Sequence, residues 1–117
     1  MAAPMFEGYS SEPEHVETQR LLAGVPSREI MREVRRLGIT DGGGSNTAAL
    51  VSKINELAWV SIYSPGLSDS DYAMLRHARV SSLEEGLEVA FERQGPEARV
   101  TVITHGGDTC PVLKGAG

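Results

Sequence analysis

Between residues 39 and 104 short β-branched stretches alternate with segments of helical period, and glycine, proline or serine marks almost every boundary. Ile39 and Thr40 form a brief extended piece. Residues 41–46, Asp-Gly-Gly-Gly-Ser-Asn, then open a helix with Leu50, Val51, Ile54, Leu57 and Ala58 on one face, for which Ser45 or Asn46 is the expected N-cap. Residues 59–63, Trp-Val-Ser-Ile-Tyr, have strand composition and stop at Ser64-Pro65-Gly66. Ser68 is placed to cap a short helix through Arg76, and residues 77–80 form a short strand. Ser82 and Glu85 have capping-box spacing ahead of a helix that presents Leu83, Leu87, Ala90 and Phe91 and ends at Gly95-Pro96. Residues 99–104, Arg-Val-Thr-Val-Ile-Thr, are the clearest strand of the chain, terminated by His105-Gly106-Gly107. Parallel strands need crossover connections, and helices supply them with a right-handed sense. The pattern therefore predicts an α/β fold: a small, mainly parallel sheet with helices on both faces, Rossmann-like and three-layered.

One or two helices precede this alternation. Ser11 and Glu14 have the spacing of a capping box for a helix through Leu22, and Gly24 and Pro26 break it. Ile30, Met31, Val34 and Leu37 then recur at helical spacing against a face of Arg28, Glu29, Arg32, Glu33, Arg35 and Arg36, closed by Gly38. The expected organisation is an irregular lead-in over residues 1–13, a single α/β domain over residues 14–113 and a flexible tail over residues 114–117.

Charge and composition narrow the function. A chain of 117 residues has room for one domain. Its formal net charge of −5 argues against a dedicated nucleic-acid binder or a binder of anionic membranes, since both need a basic face. The six aromatic residues call for an aliphatic core. Cys110 is the single cysteine, so no internal disulfide forms, and a reducing cytoplasm is the expected compartment. Residues 1–8 lack the basic and apolar regions of a signal peptide, and no run is long and apolar enough to span a membrane.

In a parallel sheet, ligands bind beyond the carboxyl ends of the strands, which selects three loops. The first is the glycine-rich turn with Gly43, Gly44, Ser45 and Asn46, where free N–H groups at a helix start could receive a phosphate or carboxylate. It is neither a dinucleotide fingerprint nor a P-loop, and a tight connection with an ordinary cap explains it as well. The second loop follows Tyr63. The third carries His105, Asp108 and Cys110, all of ligating type and Cys110 a conceivable nucleophile, although a zinc site needs further ligands and the two glycines with Pro111 suit a backbone turn. Asp69, Asp71, Glu84 and Glu85 sit in first helical turns, where negative charge complements the helix dipole, and His15 and His77 have the surroundings of surface residues. A phosphoacceptor receiver would need an acidic pair and a late lysine, and a flavodoxin would need more aromatics.

Three runs then resemble the C-terminal domain of the nickel-dependent lactate racemase family: Val60-Ser61-Ile62-Tyr63-Ser64-Pro65-Gly66-Leu67-Ser68-Asp69, Ser81-Ser82-Leu83-Glu84-Glu85-Gly86-Leu87-Glu88-Val89-Ala90, and residues 98–112, from Ala98 through His105, Gly106, Gly107, Asp108, Thr109 and Cys110 to Val112. The order of Glu7-Gly8-Tyr9 and the glycine-rich helix start also fits, so the resemblance covers about residues 7 to 113. It implies one part of a two-domain racemase or epimerase of 2-hydroxy acids, in which a nickel-pincer nucleotide carries the hydride and histidines act as acid and base. In that family the covalent lysine, the nickel-binding histidine and the acid/base histidines belong to the N-terminal domain. The C-terminal domain closes the cleft and is expected to offer Gln and Lys side chains near its first glycine-rich loop, where this chain has Gly42, Gly43, Gly44, Ser45 and Asn46 instead.

The resemblance thus implies a cleft-closing domain that is inactive without an N-terminal catalytic domain supplied in cis or in trans, and that binds no cofactor alone. The alternative is a non-enzymatic module that binds small molecules or proteins through the same loops. An independent enzyme would need His105, Asp108 and Cys110 to converge. A domain shaped against a partner would expose its apolar helix face when alone, with self-association as the symptom.

Overall fold

The computed structural model describes Met5, residues 8–110, Val112, Lys114 and Gly115. The remaining parts of the lead-in and tail, with Pro111 and Leu113, lie outside the described residues. The elements are α1 (Pro13–Leu22), α2 (Ile30–Leu37, entered through a 3₁₀ turn at Ser27–Glu29), α3 (Gly42–Leu57), β1 (Ser61–Ile62), α4 (Asp69–Leu75), β2 (Ala78–Arg79) and α5 (Leu83–Gln94), followed by a 3₁₀ turn at Gly106–Asp108. The fold combines helices with a small parallel sheet, helix being the larger part. Among the described residues no helix is long and apolar enough to cross a membrane.

The N-terminal half is a helical cluster. Pro13 begins α1 at its first position, where a fixed φ and a missing N–H cost nothing. Glu12 is therefore the N-cap residue, with no side-chain cap, and the expected capping box of Ser11 and Glu14 does not form. Gly38 ends α2 in the left-handed conformation, as the sequence suggests. Ile39 and Thr40 continue as irregular chain rather than as a strand. Leu22, Ile30 and Ala48 form one buried core, flanked by Val25, Val34, Ile39 and Ala49.

The sheet is a β1–α4–β2 unit. Ser61 pairs with Ala78 and Ile62 with Arg79 in parallel register. Ala78 N–H donates to the Val60 carbonyl at 2.9 Å and Val80 N–H to the Ile62 carbonyl at 3.2 Å. The predicted strands over 59–63 and 77–80 are thus present but trimmed to two residues each. Helix α4 is the crossover, and its Ser68 cap forms a complete capping box with Asp71. It lays Tyr72 and Leu75 on Ile62 and Leu67 to make the second core, against which Met5, Tyr9, Val51 and Val60 pack. The Tyr72 hydroxyl donates to the Ile62 carbonyl at 3.2 Å, anchoring helix to strand. Helix α3 contributes to both cores, Ala48 to the first and Val51 to the second, and so joins the two halves.

Two departures from the expected alternation matter for function. Residues 99–104 make no ladder and are exposed throughout, Val102 to 79%. β-Propensity is only a preference for a pleated, half-buried surface, and a strand needs an edge long enough to satisfy its backbone groups. Two-residue strands offer little of that. In addition, α5 carries its expected Ser82 cap, whose hydroxyl accepts from Glu85 N–H at 3.0 Å, yet buries none of its residues. It touches the sheet edge where Gly86 approaches Val80, beside an open hollow of about 360 Å³ lined by Trp59, Val60, Val80, Leu83 and Leu87 among others.

Candidate functional site

The glycine-rich segment is not a loop. Residues 42–46 form the first turns of α3, and the cap is Asp41, upstream of the predicted Ser45 or Asn46. Asp41 Oδ1 accepts from Gly44 N–H at 2.8 Å, and the Asp41 carbonyl accepts from the Ser45 hydroxyl at 2.7 Å. Here the glycines serve packing: a Cβ at Gly44 would overlap the Asp41 carboxylate and stand 3.1 Å from Thr18 Cβ. Gly44 and Ser45 are buried against α1, while Gly43 and Asn46 face outward.

Helix α1 supplies the other side of this turn. His15 Nδ1 lies 3.0 Å from Asp41 Oδ2, with the carboxylate side chain only 5% exposed. His15 Nε2 lies over Gly43, 3.2 Å from where a Cβ would be. Below it, Thr18 and Gln19 are buried, and the Tyr9 hydroxyl donates to Gln19 Oε1 at 3.3 Å. The Gly44 N–H, then the Thr18 hydroxyl, the His15 ring and the Gly43 N–H, hold the Asp41 carboxyl below its usual value, against the opposing effect of burial. Burial first, and the charge of Asp41 second, push the Tyr9 phenol up.

The chemistry available here is limited. Thr18 and Ser45 are the buried hydroxyls beside Asp41, and the Ser45 hydroxyl is committed to the Asp41 carbonyl. A positioned carboxylate–histidine pair is present without a nucleophile to activate. The carboxylate also occupies the helix start that a phosphate would need, so the turn is closed to anions by charge and by its own hydrogen bonds. His15, expected on the surface, and Asp41, expected only to lead into the turn, are the residues that sequence reasoning passed over. The signal was an Asp three residues before Gly44, the spacing of an N-cap acceptor and its donor.

The other expected site residues are scattered over exposed chain. Tyr63 follows β1 and is 37% exposed. His105, exposed, shares a 3.0 Å hydrogen bond between its Nδ1 and the Thr104 hydroxyl. Asp108 sits exposed in the final 3₁₀ turn, and Cys110 is exposed as well. Because Ile39–Thr40 and residues 99–104 are not strands, the three loops do not gather at the end of a common sheet. Among the described residues no group of three or more His, Cys, Asp and Glu is placed to hold a metal ion.

What does form a continuous feature is apolar surface. The inner stripe of α3 is made of small and polar residues: Gly44, Ser45, Ala48, Ser52 and Asn55. Ser52 donates to the Val25 carbonyl at 2.6 Å and Asn55 to the Leu75 carbonyl at 3.0 Å. The outward stripe holds Leu50, Ile54 and Leu57, at 57, 46 and 73% exposure. The expected core face of this helix is therefore its outer face, with only Val51 turned inward. Leu83 and Leu87 of α5 and Val100, Val102 and Ile103 beyond it are also exposed. Single exposed leucines are ordinary, but a stripe at helical spacing is the mark of a surface that something else covers. No family model, no curated protein and no solved structure matches this chain.

Proposed function

We propose that this chain is a docking module that closes against a second protein domain through the outer stripe of α3. The observation that carries the reading is the inverted patterning of that helix, whose inner stripe is small and polar and whose outer stripe is Leu50, Ile54 and Leu57. Covering three such side chains contributes up to about 1.5–3 kcal/mol each toward association.

The sequence resemblance names the partner: the N-terminal catalytic domain of a nickel-pincer racemase or epimerase acting on 2-hydroxy acids, in cis or in trans. On this reading the chain is a cytoplasmic isomerase component and is inactive alone. The residues of this chain do not fit the nickel-pincer nucleotide as a resident group, because the α3 start is filled by the Asp41 carboxylate and His105, Asp108 and Cys110 lie on exposed chain. The nucleotide and the acid/base groups are thus assigned to the partner, and this domain contributes cleft closure.

The three-layer Rossmann-like arrangement belongs to the same proposal. Residues 99–104 follow α5 as a strand should follow its crossover helix, and residues 100–104 are all β-branched. In the docked state they join the two-stranded sheet, and α5 closes onto it.

The test is to mix the chain with a family N-terminal domain loaded with nickel-pincer nucleotide and measure binding by calorimetry and racemisation of a 2-hydroxy acid. Complex formation that Ile54→Asp and Leu57→Asp each weaken at least tenfold is expected. A folded chain that ignores that domain would overturn the racemase partner. A chain that forms a stable homodimer through the same stripe would replace docking to another domain with self-association.

A further inference from the structure

A cavity of about 330 Å³ opens between α1, α3 and α4, away from the outer stripe of α3. Leu22, Ala48, Val51, Met74 and Leu75 give it apolar walls, and Gln19, Ser52 and Asn55 are its neutral polar groups. Its size falls in the range of small-molecule sites. Beyond Asn55, Glu56 and Arg76, which line both, it continues into a second hollow bounded by Trp59 and Arg93.

Two charged residues line the cavity, Glu56 and Arg76, and Arg93 joins them at the second hollow. Glu56 is the acid that lines it, and that carboxylate is already engaged, accepting from Ser27 N–H at 2.7 Å and from the Ser27 hydroxyl at 2.8 Å, with Lys53 Nζ at 3.8 Å. Arg93 lies over the Trp59 ring at 4.7 Å. The Arg76 guanidinium has no hydrogen-bond or ion-pair partner among the described residues. Arg76 has φ +56°, a left-handed conformation that an L side chain rarely adopts, and its Nη1 lies 2.5 Å from where a Cβ on Gly24 would stand. Gly24, itself at φ +78°, leaves the room that the guanidinium uses. The left-handed backbone is that of the C-cap of α4, and it sets the exposed Arg76 side chain at the rim of the apolar cavity.

The geometry points to a binding site for a small amphiphilic monocarboxylate, its aliphatic body among Leu22, Ala48, Val51 and Leu75 and its carboxylate on the Arg76 guanidinium. A planar fork of N–H donors suits a carboxylate in two-point contact, and the apolar body supplies affinity that a bare anion lacks. The site is independent of the docking face, and a failure of either proposal leaves the other standing.

The probe is hexanoate at pH 7, followed by amide chemical shifts and by the thermal midpoint of the full chain. Saturable shifts at Leu22, Ala48 and Leu75 are expected, with hexanamide and acetate each binding at least tenfold more weakly. Arg76→Gln should reduce hexanoate binding at least tenfold. Arg76→Gly should do the same while raising the thermal midpoint, because glycine accepts φ +56°, so loss of binding is separated from loss of fold. Arg79→Gln, which removes only the pairing with Asp69 and the contact over Tyr72, should leave binding unchanged. Equal binding of hexanamide, unchanged binding by Arg76→Gln, or the absence of saturable shifts would each overturn the site. Tighter binding of hexyl phosphate than of hexanoate would overturn its assignment to carboxylates.

Discussion

Helices α4 and α5 begin alike and end up in different environments. Each starts on a serine whose hydroxyl accepts from the third helical N–H, with acidic residues in the first turn. Helix α4 then buries Tyr72, Met74 and Leu75, whereas α5, nearly twice as long, buries nothing. The cap and the dipole decide where a helix starts. They do not decide what it packs on. Helix α4 lies between two strands that it joins, so the chain itself delivers its partner. Helix α5 leads from β2 to residues 99–104, which make no ladder, and its covering surface has to come from elsewhere.

The largest difference is expected in the two apolar faces. Leu75→Ala should destabilise the isolated chain by about 2–5 kcal/mol in urea melts, as for other buried leucines. Leu87→Ala should change it by about 0.5 kcal/mol or less, as at exposed positions. A cost of more than about 2 kcal/mol at Leu87 would mean that α5 is packed in the isolated protein and would erase the contrast. In the presence of a docked partner the Leu87 cost should rise.

The caps give the next effect. Ser68→Ala should lower global stability by about 1 kcal/mol. Ser82→Ala should loosen α5 by a similar amount without moving the global melting transition, and should be visible as faster amide exchange confined to residues 83–94. Uniform acceleration over the whole chain would show that α5 unfolds with the core.

Acid titration sharpens the comparison further. The carboxyls of Asp41, chiefly through Gly44 N–H, and Glu85, chiefly through the Ser81 hydroxyl, are held below their usual values. A lowered carboxyl means that the unfolded chain binds more protons. Each contribution is therefore complete above the unfolded value near pH 4 and is lost as pH falls through the folded one. His77, lowered by burial, acts with the same sign at higher pH, so stability should begin to decline below about pH 6.5. Asp41→Asn should flatten the acid limb of global stability, while Glu85→Gln should alter only the acid fraying of α5. An unchanged acid limb in Asp41→Asn would remove Asp41 from the fold's pH dependence.

The elements that could be recognised from sequence are those whose signals are local. Gly38, Ser68, Ser82 and Gly95 mark helix ends through their own backbone or hydroxyl, and each lies where its type suggests. The β1–α4–β2 crossover was legible because the strands flank a capped helix. The glycine turn was misread as a loop because glycine disfavours helix on average, while Asp41 and the close approach of α1 decide the matter in this chain. Sequence period detected the aliphatic stripe of α3 but could not tell inside from outside: Leu50, Ile54 and Leu57 recur as a core stripe would, and only the polar hydrogen bonds of Ser52 and Asn55 reveal the inner face. Among the candidate site residues, Gly43, Gly44, Ser45 and Asn46 lie inside the helix that they were expected to precede. Their neighbour His15 comes from a helix 26 residues before Asp41 in sequence, a contact that no local pattern encodes.

The open segment at residues 99–104 also bears on the fate of the chain in a cell. An exposed segment without a ladder, carrying Val100, Val102 and Ile103, is open to the active-site cleft of a protease and the peptide groove of a chaperone. On the proposed docking, a copy without a partner would be exposed to quality control at that position and a docked copy shielded. Steady-state abundance would follow the supply of the partner rather than the rate of synthesis, which keeps the two in stoichiometry. Limited proteolysis should cut first between residues 99 and 104 and slow on docking; an initial cut within α1 or α3 would refute this.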